Sequence, residues 1–339
     1  MSNIMMNQAS NVKVGTTIIG KWNGNHYNVM KLLGQGATGS VYLANSKNGK
    51  AAIKLSENSM AITSEVNVLK HFSKVQGSTL GPSLLDVDDW NNRDNKMVSF
   101  YVMEYINGES FLDFIKRRGI EWVDVLIIQL LSNLEELHEK GWIFGDLKPD
   151  NLLIAGPPHK IRCIDVGGTT QIGRSVKEFT EFFDRGYWGL GSRKAEPSYD
   201  LFSVAMIIIN AVYPKRFPKK TNGMEGRNQL IEIINSHAFL RKHKKLLINA
   251  ILGKYISAEE MKNDLLGIIS NSNHQSIKKK SSVKQQSSIH NGKQSKSHMS
   301  RKQLKQKRKR KKYGGLIETV VILVSVFIMY SLYVFHYLM

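Results

Sequence analysis

The chain has a single cysteine, Cys163, among its 339 residues. That excludes an internal disulfide framework and any CxxC metal or redox motif, and it suits a reducing compartment. The first twenty residues lack a basic region followed by an apolar run and a small-residue cleavage site, so no secretory signal is expected. No internal repeat is evident. Residues 271–313 lack acid altogether: they carry fifteen Lys or Arg and no Asp or Glu, three quarters of the formal net charge of +20. The cationic excess is therefore local, and charge does not mark the whole chain as a nucleic-acid or membrane surface. The same stretch has hardly any large apolar residues. Such a segment buries too little surface to offset its ordering entropy, which predicts a disordered basic linker over 271–315.

Charge of either sign is absent from Thr319 to Phe335, and the apolar character continues to Met339. At ~1.5 Å per residue, the run from Thr319 reaches about 32 Å as a helix, enough to cross a bilayer core. A transmembrane anchor is expected over 316–339. The cluster KQKRKRKK at 305–312 immediately precedes it, so the positive-inside bias keeps the N-terminal bulk in the cytoplasm, on the inner face of the cell membrane.

Hydrophobic residues make up 42% of the chain, ample for a large core. Residues 29–56 alternate apolar runs with glycines and read as short strands joined by turns. From Ser64 the spacing of Val66, Leu69 and Phe72 fits one helical face, and a strand is expected again at Val98 to Glu104. Beyond Gly108 helical patterns dominate, over 121–139, 199–213, 228–250 and 257–270. The fold class is α+β, a small β-rich lobe followed by a larger helical one.

Gly34, Gly36, Gly39 and Val41 fit G-x-G-x-x-G-x-V between two predicted strands, where small residues let backbone N–H groups approach phosphate oxygens. Thirteen residues after Val41, Ala51-Ala52-Ile53-Lys54 sets a lysine in a strand pattern. Glu65, eleven residues later, lies in a helical pattern, and a lysine paired to a helix glutamate orients the α- and β-phosphates of a nucleotide. The most specific run is Phe144-Gly145-Asp146-Leu147-Lys148-Pro149-Asp150-Asn151, followed fourteen residues later by Asp165-Val166-Gly167. Phosphoryl transfer needs a carboxylate to hold the attacking hydroxyl and oxygen ligands to hold Mg²⁺ against the phosphates. Asp146 supplies the first; Asn151 and Asp165 supply the second.

This ordered series resembles the eukaryotic-like (Hanks-type) protein kinases of bacteria over residues 27–270, and is most similar to the membrane-anchored YabT-like kinases of spore-forming bacilli. The resemblance implies a bilobal kinase fold, with an N-lobe over about 27–107, a C-lobe over about 108–270 and residues 1–26 as an N-terminal extension. It implies ATP and Mg²⁺ as cofactors and serine or threonine in proteins as the acceptor. Met103 then takes the gatekeeper position, with backbone groups of Glu104 and Ile106 meeting adenine. Lys148 matches the Ser/Thr pattern and neutralises charge on the transferred phosphate, while Asp200 anchors the catalytic loop from below.

The sequence also departs from the family. Phe144-Gly145 replaces the usual His-Arg, so a phosphorylated activation loop loses its customary arginine ligand. Val166 replaces a Phe, no APE triplet lies between Asp165 and Asp200, and Tyr255 stands where an arginine commonly pairs with that triplet's glutamate, so both partners are missing together. The short spacing from Lys54 to Glu65 suggests a trimmed loop or first helical turn. These departures motivate one alternative, a pseudokinase acting as a membrane-tethered, nucleic-acid-binding scaffold. Against it, Lys54, Asp146, Asn151 and Asp165 are all retained.

Lys278 to Lys312 read as a polyelectrolyte arm that regulates the enzyme through a polyanion, either anionic lipid at about 1 kcal/mol per basic residue held at the surface or nucleic acid bound through its phosphates. The resemblance implies DNA as the activating partner. Thr169, Thr170, Ser175, Thr180 and the linker serines are candidate autophosphorylation sites, with self-association for transfer in trans.

Overall fold

The computed structural model describes residues 11–36, 38–73, 80–92, 94–220 and 225–271. The expected basic linker beyond Asn271 and the expected anchor at 316–339 lie outside the described residues. Among the described residues no helix is long and apolar enough to cross a membrane.

The N-terminal part is a six-stranded antiparallel sheet. Its strands are β1 (Thr17–Ile19), β2 (His26–Gly36), β3 (Gly39–Ser46), β4 (Gly49–Ser56), β5 (Leu84–Asn91) and β6 (Met97–Glu104), in the order β1-β2-β3-β4-β6-β5. Residues 17–19, assigned by the sequence to the extension, thus pair with β2. The turn that follows them reaches the opposite edge: the Lys21 N–H donates to Asp89 O at 2.8 Å, and the N–H groups of Trp22 and Asn23 donate to the buried Asp88 carboxylate at 2.9 and 2.8 Å.

Alternation sorts the two faces of the sheet. Ile53 and Leu55 of β4 join Val98, Phe100 and Val102 of β6 in one core. The intervening residues Ala52, Tyr101 and Met103 face the other way, into the main core with Val66 and Leu69 of helix α1 (Ser59–Ser73). Only Glu57 and Asn58 separate β4 from α1. Asn58 starts the helix by accepting the Met60 and Ala61 N–H groups, each at 3.1 Å. The connection is thus a trimmed loop, and Glu65 lies in the second turn.

The remainder is mainly helical. β7 (Gly108–Ser110) leads into α2 (Phe111–Arg118), whose first turn is capped by Ser110 accepting the Asp113 N–H. α3 (Trp122–Glu139) follows, then β8 (Trp142–Ile143), β9 (Leu152–Ala155), β10 (Lys160–Cys163) and β11 (Thr170–Gln171). β9 pairs with β10 and β7, and β8 with β11, which folds the chain between them into loops beneath the first sheet. After the short α4 (Arg185–Trp188), α5 (Pro197–Val212) is buried at every position from Tyr199 to Ala211. A helix buried on all sides occupies a centre rather than a surface.

The helical pattern over 228–250 is expected as one segment but breaks into α6 (Gly226–Ser236), α7 (Ala238–Lys242) and α8 (Lys244–Ile251). Two histidines cause the breaks. His237 is extended and its ring accepts the Phe239 N–H at 3.2 Å. His243, fully buried, lies 2.8 Å from both Phe239 O and the Asp124 carboxylate of α3. A final helix runs over 258–271.

Candidate active site

A cavity of about 560 Å³ opens between the first sheet and the loops of the helical part. Gly34, Gly36, Gly39 and Val41 line it from the β2–β3 hairpin, in which Gly34 pairs with Val41 and Gly36 with Gly39. The glycines have different reasons to be glycine. A Cβ on Gly39, at φ +143, would lie 2.2 Å from the Leu55 carbonyl oxygen, whereas Gly34 and Gly36 have open space beside them.

Lys54 enters the cavity from β4, and its Nζ lies 2.7 Å from Glu65 Oε1 and Oε2. The pair is almost entirely buried. A third member was not evident from the motifs: Tyr101 of β6 donates its hydroxyl hydrogen to Glu65 Oε2 at 2.8 Å. Burial, and then the facing Glu65 charge, push the Tyr101 phenol far above its ordinary pKa, so it remains a donor. Strand alternation carried the signal, since Tyr101 shares the α1 face with Met103.

Met103, Glu104 and Ile106 line the inner edge of the cavity. The Glu104 N–H is already taken by Ser83 O at 2.9 Å. Its side chain turns away to Arg162, with contacts of 2.9 and 3.1 Å. Asn151 and Asp165 close the cavity from the other side. Asn151 Nδ2 donates to Asp146 O at 3.0 Å, and Asp165 Oδ1 accepts the Gly167 N–H at 3.0 Å. These contacts orient both side chains while Asn151 Oδ1 and Asp165 Oδ2 remain for a cation. Hard oxygen donors at the rim of a nucleotide-sized cavity fit Mg²⁺.

Asp146 and Lys148 form an ion pair just outside this cavity, and Thr180 completes the group: Thr180 Oγ1 donates to Asp146 Oδ1 at 2.9 Å and accepts from Lys148 Nζ at 3.0 Å. The loop that carries them is fastened from below. Asp200, fully buried, accepts the Phe144 N–H at 2.7 Å and the Gly145 N–H at 2.9 Å, and its Oδ2 lies 2.9 Å from His138 Nε2. Phe144 and Val166, which stand in place of the family's His and Phe, are both buried in the main core.

Glu178 is a further carboxylate that the motifs do not include. Its Oε2 comes within 3.4 Å of where a Cβ on Gly167 would lie, beside Asp165 Oδ1 at 3.3 Å and Glu65 Oε1 at 3.5 Å. Burial and then the Asp165 charge push its carboxyl pKa up, with Lys54 opposing.

Several expectations change here. Thr169 and Thr170 are fully buried, and the Thr180 hydroxyl is engaged between Asp146 and Lys148, so of the four segment hydroxyls only Ser175 is exposed. The end of the segment carries an ion pair that the motifs do not include. Glu196 accepts from Arg185 Nη2 at 2.7 Å, a pairing made within the segment, and the Tyr255 hydroxyl donates to Asp264 at 2.7 Å.

Next to Thr180, a second hollow of about 410 Å³ is lined by Glu181, Phe182, Tyr187, Arg216, Phe217 and Pro218. Arg216 pairs with Asp150 at its rim.

The protein kinase domain family matches residues 27–288. The chain is 50% identical over 339 residues to a serine/threonine-protein kinase of Bacillus subtilis, YabT, covering 100% of this chain and 99% of that one. It is 30% identical over 208 residues to a probable serine/threonine-protein kinase of Clostridium perfringens, covering 58% of this chain and 30% of that protein. Among solved structures it is similar to vaccinia related kinase 3, with a TM-score of 0.53 at 16% identity over 78% of this chain and 92% of that one. That last likeness concerns the fold.

Proposed function

The chain belongs to the protein kinase family and is a serine/threonine protein kinase that uses ATP and Mg²⁺, and from that premise we propose which residues carry the transfer and how the enzyme is placed. The supporting observation is one arrangement: the Lys54–Glu65 pair, Asn151 and Asp165 share a cavity, and the Asp146–Lys148–Thr180 group stands outside it on the same loop. Bound Mg²⁺·ATP supplies the phosphoryl group and neutralises its developing charge.

The protein's own residues do the rest. Gly34, Gly36 and Gly39 leave backbone N–H groups room beside the phosphates, and Val41 and Met103 give the base apolar contact. Glu104 O and the Ile106 backbone take its polar edge. Lys54, held by Glu65 and Tyr101, orients the α- and β-phosphates, and Asn151 and Asp165 supply oxygen ligands. Asp146 accepts the hydrogen bond of the incoming serine or threonine hydroxyl and takes its proton on a carboxylate oxygen. Lys148 balances charge on the phosphate in flight. The apolar hollow beside Thr180 is where a substrate side chain next to the acceptor docks, with Arg216 at its rim.

The enzyme is placed, in this reading, at the cytoplasmic membrane through residues 316–339, with the catalytic part in the cytoplasm. Lys278 to Lys312 bind DNA or anionic lipid and so tune activity, and self-association permits autophosphorylation in trans. The absence of acid from 271–313 and of charge from Thr319 to Phe335 supports this placement. A pseudokinase scaffold is disfavoured because every charged group of the transfer machinery is retained.

Incubation of the chain with labelled ATP and Mg²⁺ beside Lys54→Ala and Asp146→Ala tests catalysis. Incorporation in the parent alone is expected, and equal incorporation in all three would end the assignment of those residues. Deleting 316–339 is expected to release the protein from membranes. That soluble chain should bind duplex DNA with a logarithmic salt slope near −9 if about ten cations engage. Binding of similar strength after deletion of 278–312 would remove the arm's role.

A further inference from the structure

Gly145 stands directly before the catalytic Asp146, where the family resemblance places an arginine. Its backbone sits at φ +83, and a Cβ built on it would lie 2.5 Å from Gly168 O. A side chain there is strained and collides with backbone, so this loop does not accommodate the arginine. The same Cβ would lie 3.7 Å from Val176 Cγ1, so the position faces Val176 in the activation segment.

Val176 is buried, at 8% exposed, against Ile143, Ala195 and Tyr199. These neighbours are the points that a working segment has to bring together. Ile143 of β8 leads into the catalytic loop, Ala195 closes the segment, and Tyr199 lies in the first turn of the helix that carries Asp200. The backbone follows the same seam: the Val176 N–H donates to Arg193 O at 2.9 Å and the Ala195 N–H to Arg174 O at 2.7 Å. Two arginines of the segment are consumed internally, Arg185 by Glu196 at 2.7 Å and Arg193 by Asp184 at 2.6 Å. Beyond Val176, Lys177 Nζ donates to Ser64 Oγ of α1 at 3.2 Å, and Thr180 engages Asp146 and Lys148.

We propose that Val176 is a positioning residue, an apolar latch that fastens the activation segment to the catalytic loop so that the site is assembled without phosphorylation of that segment. The proposal rests on the kinase reading above. Burial of an aliphatic side chain among Ile143, Ala195 and Tyr199 holds Thr180 in register with Asp146, and no charge has to be added first. A charge placed at 176 meets no cation in that cluster, so it opens the seam.

The full chain is to be produced with a co-expressed phosphatase, shown to be phosphate-free by mass spectrometry, and assayed on a protein substrate from the first turnover. The expected result is a linear time course with no lag. Val176→Asp is expected to lower kcat/KM for the protein substrate about tenfold or more while the KM for ATP stays within about twofold. Val176→Ile keeps wild-type values. If Val176→Asp does not fold, Val176→Thr decides, with a smaller fall in kcat/KM of about threefold at unchanged ATP affinity. A lag that prior incubation with ATP and Mg²⁺ removes would overturn the latch, as would wild-type kinetics for whichever of Val176→Asp or Val176→Thr is the deciding variant. Absence of transfer by the parent in every phosphorylation state would instead fail the kinase reading itself.

Discussion

Tyr101 donates its hydroxyl hydrogen to Glu65 Oε2 at 2.8 Å while Lys54 Nζ stands 2.7 Å from the same carboxylate, so Glu65 is held from two strands at once. All three groups are buried, and a bond to a charged acceptor in such a place contributes about 1.5–3 kcal/mol. Tyr101→Phe keeps the ring against α1 and removes only the donor. The expected outcome is a rise in KM for ATP of about tenfold with a smaller loss in kcat, read by steady-state kinetics. An unchanged ATP KM would show that Lys54 alone fixes Glu65.

Asp200 has no exposure and accepts two backbone N–H groups of the catalytic loop, with His138 beside its Oδ2. Asp200→Asn leaves one oxygen for what two oxygens now hold, and it places an amide N–H against one of those donors. Loss of a partner in a buried charged network costs about 3–5 kcal/mol. A clear fall in thermal midpoint is expected together with a lowered kcat, measured by calorimetry and by initial rates. Stability equal to the parent would mean that the loop holds its shape without this anchor.

Thr180 bridges Asp146 and Lys148 through one oxygen, so the hydroxyl, not the side-chain volume, is what the site needs. Thr180→Val, nearly isosteric, is expected to lower kcat about tenfold, with Thr180→Ser returning most of it. Equal damage from both replacements would assign Thr180 to packing alone.

The charged skeleton of the site was legible in the sequence because its spacing is dictated by chemistry and by simple periods. Lys54 alternates with Ile53 and Leu55, which sends it to the α1 face where Glu65 waits. Asp146 and Asn151 share one loop, so their separation is fixed locally. Tertiary pairings were not legible. Glu196 finds Arg185 eleven residues earlier, and nothing in either residue type announces the pair. Val176 carries no chemical signature and gains meaning only when the fold sets it opposite Gly145. The breaks at His237 and His243 escaped for a related reason: the apolar period continues through them, and only local ring-to-backbone bonds stop the helix.

The Arg185–Glu196 pair gives the segment a dependence on acid whose sign follows from the carboxyl. The hydrogen bond from Arg185 holds the Glu196 carboxyl below its ordinary range, outweighing the opposing effect of burial. A group depressed in the folded state contributes stability that is fully present above its unfolded pKa, about 4.3 for glutamate, and is lost as pH falls through the folded value. Arg185 is buried but the Glu196 side chain is 40% exposed, so solvent screening limits the contribution to about 1 kcal/mol or less. Glu196→Gln is therefore expected to be less stable than the parent by a constant margin from pH 6 to pH 8, and the margin should close as pH falls below about 4.3. Denaturant unfolding at a series of pH values measures this directly. A margin that persists undiminished through the acid limb would show that Gln and Glu differ at this position by packing, and that the ion pair does not hold the end of the segment.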